Sequence, residues 1–254
     1  ILGDTLEKIA SAKAGIIKGG DAVIYRGRES VEQVFADACE KTGARLHKAD
    51  FDGIRLHKAD FTGQVFDLGA RKNLEIPLLG EHQLKNPAVV VAAVDALTAK
   101  GWKVTEQQLR DGLKHVSWPG RFELLRKKPV FFVDGGHNPQ CMAALAKNLE
   151  QYLSGRRLVG LTGVMADKDY FDMYKTMEPY FSAFVTVTPE NPRALPAEKL
   201  AEMLAQFGKP VTACASVREG VQKAMELAAG ENDAVVAFGC LYMVGDIRTA
   251  AMEK

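Results

Sequence analysis

No apolar run in this chain approaches the roughly 18–20 residues that a membrane-crossing helix needs, so nothing in it reads as a bilayer span. Neither sign of charge is in excess. Against 33 Lys and Arg stand 32 Asp and Glu, a net +1, which gives no electrostatic footing for nucleic acid or an anionic membrane as partner. Cysteine is scarce: Cys39, Cys141, Cys214 and Cys240 lie far apart, without a CxxC or Cys/His metal spacing, so reduced thiols in a cytoplasm are the expectation. Two phosphate-binding patterns are missing, GxxxxGK followed by Ser or Thr, and GxGxxG. A Met start is missing too. The chain opens on Ile1, shows no signal peptide, and reads as one whose true beginning lies upstream.

What is present suits one large or two ordinary domains in 254 residues of average composition. A helix is expected from Thr5 to about Ala14, capped by Asp4, with Glu7 favourably placed in its first turn. Ala22–Tyr25 reads as a strand and Val31–Lys41 as the next helix. The segment Arg-Leu-His-Lys-Ala-Asp-Phe then occurs twice, from Arg45 and from Arg55. One reading is a duplicated binding segment with His47 and His57 as a pair. The plainer one is a hairpin of two similar strands turning at Asp52-Gly53. Gly63–Leu68 and Leu74–Leu79 extend this β-rich patch. Asn86–Ala99 is apolar and alanine-rich like a buried helix. Thr105–Lys114 is a further helix, with Thr105 as cap and Gln108 reaching back. Ser117–Arg121 breaks the pattern and is the candidate hinge between domains 1–121 and 122–254.

Beyond it, short apolar runs alternate with helical stretches. Val130–Val133, Leu158–Leu161, Phe184–Val187, Val211–Ala213 and Ala234–Phe238 are the expected strands. Gln140–Leu153, Tyr170–Tyr180, Ala197–Gln206 and Val217–Ala229 are the expected helices. Continuous apolar strands are what a parallel sheet covered on both faces requires, so residues 122–254 read as a doubly wound, Rossmann-like α/β domain with ligands at the strands' C-terminal ends. At one such end stands Asp134-Gly135-Gly136-His137-Asn138-Pro139. A carboxylate, an imidazole and a helix start capped by Asn138 share one short turn, and the two glycines allow close approach to the backbone. From these residues alone, a ribose-binding turn and a ligand-free capped turn stand even.

The turn, preceded by Trp118-Pro119-Gly120-Arg121, resembles the folylpolyglutamate synthase/dihydrofolate synthase family of the Mur ligase superfamily. So do Leu2-Gly3-Asp4-Thr5 with Lys13-Ala14-Gly15-Ile16-Ile17-Lys18, the block His82-Gln83-Leu84-Lys85-Asn86, the block Met165–Tyr170, and Asn191-Pro192-Arg193-Ala194-Leu195-Pro196. These blocks stand in the family's order over nearly the whole chain. The resemblance implies an α/β fold: the C-terminal part of a P-loop-type Mur ligase central domain, then the Rossmann-like domain. It implies an ATP-dependent ligase that activates a folate or dihydropteroate carboxylate as an acyl phosphate, which the amine of L-glutamate attacks. Expected cofactors are ATP and Mg²⁺, with K⁺ as a further cation. Expected partners are these small molecules, with no nucleic acid, no membrane and a monomeric state.

By the same resemblance Lys13 is the lysine carbamylated near a second Mg²⁺, an anion suited to a hard cation. Ala12 stands where the family usually has Glu. Asn86 falls to the adenine side of ATP, Arg121 to phosphate on domain closure, and Asp134 to ribose. His137 is assigned to glutamate binding or the closed state, and Lys168 to positive charge near phosphate or carboxylate. From charge alone, and not from the resemblance, Pro192-Arg193 is a candidate to meet the substrate's glutamate tail. The plainer alternatives are a solvated helix lysine for Lys13, a surface ion pair for Arg121 and an exposed helix-start lysine for Lys168. Tyr242 and the cluster Leu241, Met243 and Val244 read as packing, and Cys141 has no neighbouring base. The family's phosphate loop and first Mg²⁺ ligands lie before the Leu2 block, so these 254 residues alone are expected not to turn over. Another Mur-type amide ligase, or a non-catalytic nucleotide-binding fragment, remain the alternatives.

Overall fold

A computed structural model describes residues 3–253. It divides into two compact units, one holding the chain up to Pro77 with Glu81–Val116, the other Leu78–Gly80 and everything from Ser117 on.

The first unit contains α1 (Leu6–Ala14), β1 (Asp21–Ile24), α2 (Glu29–Thr42), β2 (Arg45–Lys48), β3 (Ile54–Asp60), β4 (Gly63–Leu68), β5 (Arg71–Ile76), α3 (Glu81–Ala99) and α4 (Glu106–Lys114). Thr5, not Asp4, caps α1: its extended backbone lets the side chain accept the Lys8 N–H, while Asp4 pairs with the Lys8 ammonium at 2.7 Å. The expected cap of α4 is found with both halves of the capping box, Thr105 and Gln108. Helix α3 starts five residues before the expected Asn86 and carries Pro87 in its second turn.

The expected hairpin is not formed. β2 pairs in parallel with β1, whereas β3 pairs antiparallel with β4 in a separate three-stranded sheet, β3-β4-β5. The turn between them is there, but it is built by Asp50, whose Oδ1 accepts the N–H groups of Asp52 and Gly53. Such a side-chain turn redirects the chain without imposing the register of a two-residue hairpin. The two histidines therefore part company. His47 Nε2 lies 2.7 Å from Asp21 Oδ1, and His57 Nε2 lies 2.9 Å from Asp67 Oδ1. Asp21 also receives Lys100 and Arg45, and the bonds from Lys100 and then His47 hold its carboxyl far below the usual range. Asp67 is held at about 2, first by the Asn73 N–H and then by His57 and Lys72.

The second unit is the doubly wound domain. It holds β6 (Glu123–Lys127), β7 (Val130–Val133), α5 (Pro139–Leu153), β8 (Arg157–Thr162), α6 (Tyr170–Met177), β9 (Phe181–Thr186), α7 (Ala197–Ala205), β10 (Val211–Ala213), α8 (Val217–Leu227), β11 (Asp233–Phe238) and α9 (Val244–Met252). The strands lie in the order β10-β9-β8-β11-β7-β6, all parallel except β6. The steps β7→β8→β9→β10 run one way across the sheet and β10→β11 runs back. Right-handed crossovers therefore put α5, α6 and α7 on one face and α8 on the other. On that second face α8 and α9 pack together, α8 over β8 and β9, α9 over β6 and β7. Covered twice, β7 and residues 234–238 of β11 are buried throughout, and each large side chain so buried contributes roughly 2–3 kcal/mol. Two elements had no expectation, β6 and α9. β6 is a half-exposed edge strand with a bulge between Leu124 and Arg126, so its side chains do not alternate cleanly.

Candidate functional site

The last strand in the sequence, β11, inserts between β7 and β8, so the C-terminal ends of these three strands adjoin where an open α/β sheet offers its crevice. The Asp134–Pro139 turn leaves from β7. Its backbone is fixed first by the neighbouring strand, with Asp134 N–H on Ala237 O (2.8 Å) and Gly239 N–H on Gly136 O (3.1 Å). Asn138 Oδ1 then accepts the Cys141 N–H at 2.8 Å and Pro139 opens α5, the capped start expected from the sequence. His137 Nδ1 lies 3.0 Å from Gly135 O. A carbonyl only accepts, so Nδ1 carries the proton of that bond and Nε2 is the ring's remaining polar atom. A Cβ on Gly136 would meet Asp134 Oδ1 at 2.7 Å and the Cys141 Cβ at 2.9 Å. Glycine there is demanded by the packing of the turn on itself.

Asp134 ties this turn to Trp118–Arg121. Its Oδ1 accepts the Gly136 N–H at 2.7 Å and its Oδ2 the Phe122 N–H at 2.9 Å, while Gly135 N–H bonds Gly120 O at 2.8 Å. Phe122 has φ +43°, a region that costs a bulky L-residue about 1–2 kcal/mol. Its buried ring stacks on Phe132, centroids 4.4 Å apart at 12°. Gly120 N–H donates to Glu123 Oε2 at 2.9 Å, and Glu123 is paired with Arg248 of α9 at 3.1 Å. Arg121 itself is half-buried and its guanidinium has no hydrogen-bond or ion-pair partner among the described residues. The surface ion pair that was its plainer reading is not made. Sequence patterns gave no sign of Phe122, Glu123 or Arg248, since the last two stand 125 positions apart.

Two further blocks meet at the ends of β8 and β9. Met165 bridges Ala194, Ala166 N–H bonds Arg193 O at 2.8 Å, and Leu195 N–H bonds Val164 O at 2.8 Å. Arg193 is engaged by Asp167 at 3.0 Å, whereas the half-exposed Lys168 has no ion-pair partner among the described residues. Beneath them Thr162 donates to Phe238 O and bonds the Tyr174 hydroxyl, whose pKa burial pushes up. Cys240, at the end of β11, is buried and its thiol is likewise pushed up by burial. Met243 and Val244 are in the core as expected, but Leu241 and Tyr242 are more than half exposed, because the short turn Leu241–Met243 points only its third side chain inward.

The two remaining residues lie on the first unit. Lys13 is exposed in the last turn of α1, and Leu2, which opens the matching block, lies outside the described residues. Carbamylation there would put an anion where the helix end is already partially negative, so the modified side chain needs a cation beside it. No group of three His, Cys, Asp or Glu side chains among the described residues gathers to hold a metal. Among the described residues, then, no ready-made cluster of these side chains stands for a carbamylated Lys13 to join. Asn86 is exposed on α3, its Nδ2 donating to Gln83 Oε1 at 2.8 Å.

Residues 120–241 match the family described as Mur ligase, glutamate ligase domain. The chain is 29% identical over 259 residues to a dihydrofolate synthase/folylpolyglutamate synthase of Bacillus subtilis (strain 168), covering 98% of this chain and 59% of that protein. It is 31% identical over 260 residues to a folylpolyglutamate synthase of Lacticaseibacillus casei, covering 98% of this chain and 58% of the relative. The structure resembles that of Mycobacterium tuberculosis folylpolyglutamate synthase complexed with ADP, with TM-score 0.86 at 29% identity over all of this chain and 61% of that one. The chain therefore spans about three fifths of the length of the relatives it matches.

Proposed function

Because this chain belongs to the folylpolyglutamate synthase/dihydrofolate synthase family of Mur ligases, we propose that it serves ATP-dependent ligation of L-glutamate to folates, and to dihydropteroate. The observation that carries this reading is Arg121, whose guanidinium has no partner among the described residues, held beside the Asp134–Pro139 turn at the C-terminal ends of β7 and β11. A planar guanidinium with no internal acid is free for phosphate oxygens. Asp134 is the carboxylate assigned to a ribose hydroxyl, and the His137 Nε2 is free of the bond that fixes the ring. Lys168, without an ion-pair partner among the described residues, offers a second cation for phosphate or for the carboxylate of glutamate. On the first unit, Asn86 takes the adenine side and Lys13, as carbamate, is the chain's contribution to Mg²⁺. Bound with ATP, Mg²⁺ supplies charge neutralisation on the phosphates.

In this reaction the folate carboxylate takes the γ-phosphoryl group of ATP, releasing ADP. The glutamate amine then displaces phosphate to form the amide. The chain's part is to place positive groups where charge accumulates during the transfer. The 254 residues contain no phosphate loop, so turnover by them alone is not expected. Fusing the upstream portion of the Bacillus subtilis relative to this chain and measuring labelled glutamate incorporated into a reduced folate tests the reading. Incorporation that needs ATP and is lost in Arg121→Met is expected. A folded fusion that binds ATP and incorporates no glutamate into any folate or pteroate would overturn it. Glutamate-dependent ADP release by the 254 residues alone would overturn the need for a phosphate loop.

A further inference from the structure

Apart from glycines, only Asn73 and Phe122 among the described residues have φ in the left-handed region. Asparagine tolerates that conformation because its short polar side chain bonds locally; phenylalanine gains nothing from it. A strained residue persists where its surroundings over-determine it, and such residues gather at functional sites. The surroundings of Phe122 can be named. Asp134 holds its N–H, Phe132 stacks on its ring and Tyr152 stands at 5.8 Å. On the other side of Arg121, Gly120 is held at both ends, its O by the Gly135 N–H and its N–H by Glu123 Oε2. Both peptide neighbours of Arg121 are thus fixed while its own head group is free. A structural arginine shows the reverse, a pinned guanidinium on an ordinary backbone.

Glu123 has no such fixity of its own. Its side chain is about a quarter exposed and has freedom to swing into solvent. Arg248 prevents this, with Nε 3.1 Å from both carboxylate oxygens. We infer that Glu123 and Arg248 are positioning residues for Arg121: α9 orients the carboxylate, the carboxylate orients Gly120, and the backbone that carries the guanidinium toward phosphate is fixed before the nucleotide arrives. Preorganisation of this kind removes an ordering penalty from binding. The inference rests on the reading of Arg121 as a phosphate ligand, and it adds a helix and two residues that no local motif marks.

The test compares the affinities of ADP and of adenosine for the 254-residue chain and its variants by isothermal titration. Adenosine lacks the groups that Arg121 would hold, so a variant that merely loosens the fold weakens both ligands. Arg248→Met is expected to weaken ADP on the order of tenfold, the lower end of what lost supporting hydrogen bonds cost around metal ligands, and to leave adenosine unchanged. Arg248→Lys should restore most of the ADP affinity. Glu123→Gln, which keeps one acceptor oxygen and the same shape, should show an intermediate loss and serves if Arg248→Met does not fold. If Arg121→Met weakens ADP while Arg248→Met and Glu123→Gln do not, the positioning role is wrong and the phosphate role stands. If ADP affinity is indifferent to Arg121→Met, or wild type binds no ADP, the phosphate role fails and the inference with it. Parallel losses of ADP and adenosine in Arg248→Met or Glu123→Gln also overturn it.

Discussion

Single carboxylates do the connecting in this protein. Asp134 lies at a strand end where a ligand contact was expected, and both its oxygens accept backbone N–H groups from the two segments it joins. Asp134→Asn keeps the shape but turns an amide donor toward one of those N–H groups. It should destabilise the second unit by roughly 1–3 kcal/mol, measured as a drop in the urea midpoint with an unchanged slope; no change would mean that the bridge is dispensable. Asp67 makes a prediction in pH. Its carboxyl is held at about 2, below its ordinary value, by the Asn73 N–H, then His57 and Lys72. A depressed pKa means that the charged form is the one bonded in the folded state. The stabilisation is complete above the ordinary carboxylate pKa near 4 and is lost as pH falls from there through about 2. Asp67→Asn should therefore lower the melting temperature at pH 6 and lower it much less at pH 2. An equal drop at both values would refute the charge-dependent account.

Among the elements, the starts of α4 and α5 behave as their sequences suggest, whereas the partners of the duplicated strands do not. Thr105 with Gln108, and Asn138 before Pro139, cap α4 and α5. Thr105→Ala removes the side-chain half of the capping box, while the backbone N–H of residue 105 can still donate to Gln108; it should cost about 1 kcal/mol, with Thr105→Ser recovering most of it in thermal melts. The duplicated segment shows the other case. After each copy of His-Lys-Ala-Asp, the aspartate's Oδ1 accepts an N–H two residues on, Asp52 from Asp50 and Thr62 from Asp60. That bond is local, so identical residues make it twice. The strands before those turns join different partners, β2 in parallel with β1 and β3 antiparallel with β4. Pairing depends on which edge the preceding element brings near, and α2 brings β2 back beside β1.

At the scale of the whole chain, a central strand of the larger sheet is the last one in the sequence. β11 sits between β7 and β8, and without it neither has that neighbour. A chain ending before Asp233 should lose hydrogen-exchange protection in Phe131–Val133 and Val159–Leu161, although both strands are intact in sequence. Retained protection there would show that the sheet closes without β11. The sequence by itself determined the doubly wound class, the buried strands β7, β8 and β11, the capped helices and the Asp134–Pro139 turn. The strands, caps and turn follow from patterns within a dozen or so residues, where side-chain period and backbone chemistry act directly, and the class follows from their alternation along residues 122–254. Tertiary structure alone decided the rest. It split His47 from His57, gave Asp134 its second partner at Phe122, left Arg121 without an acid, and joined Glu123 to Arg248 across 125 positions. Each of those is a meeting of side chains and backbone from separate elements. Such meetings depend on the order in which strands are laid side by side, which no local spacing in the sequence records.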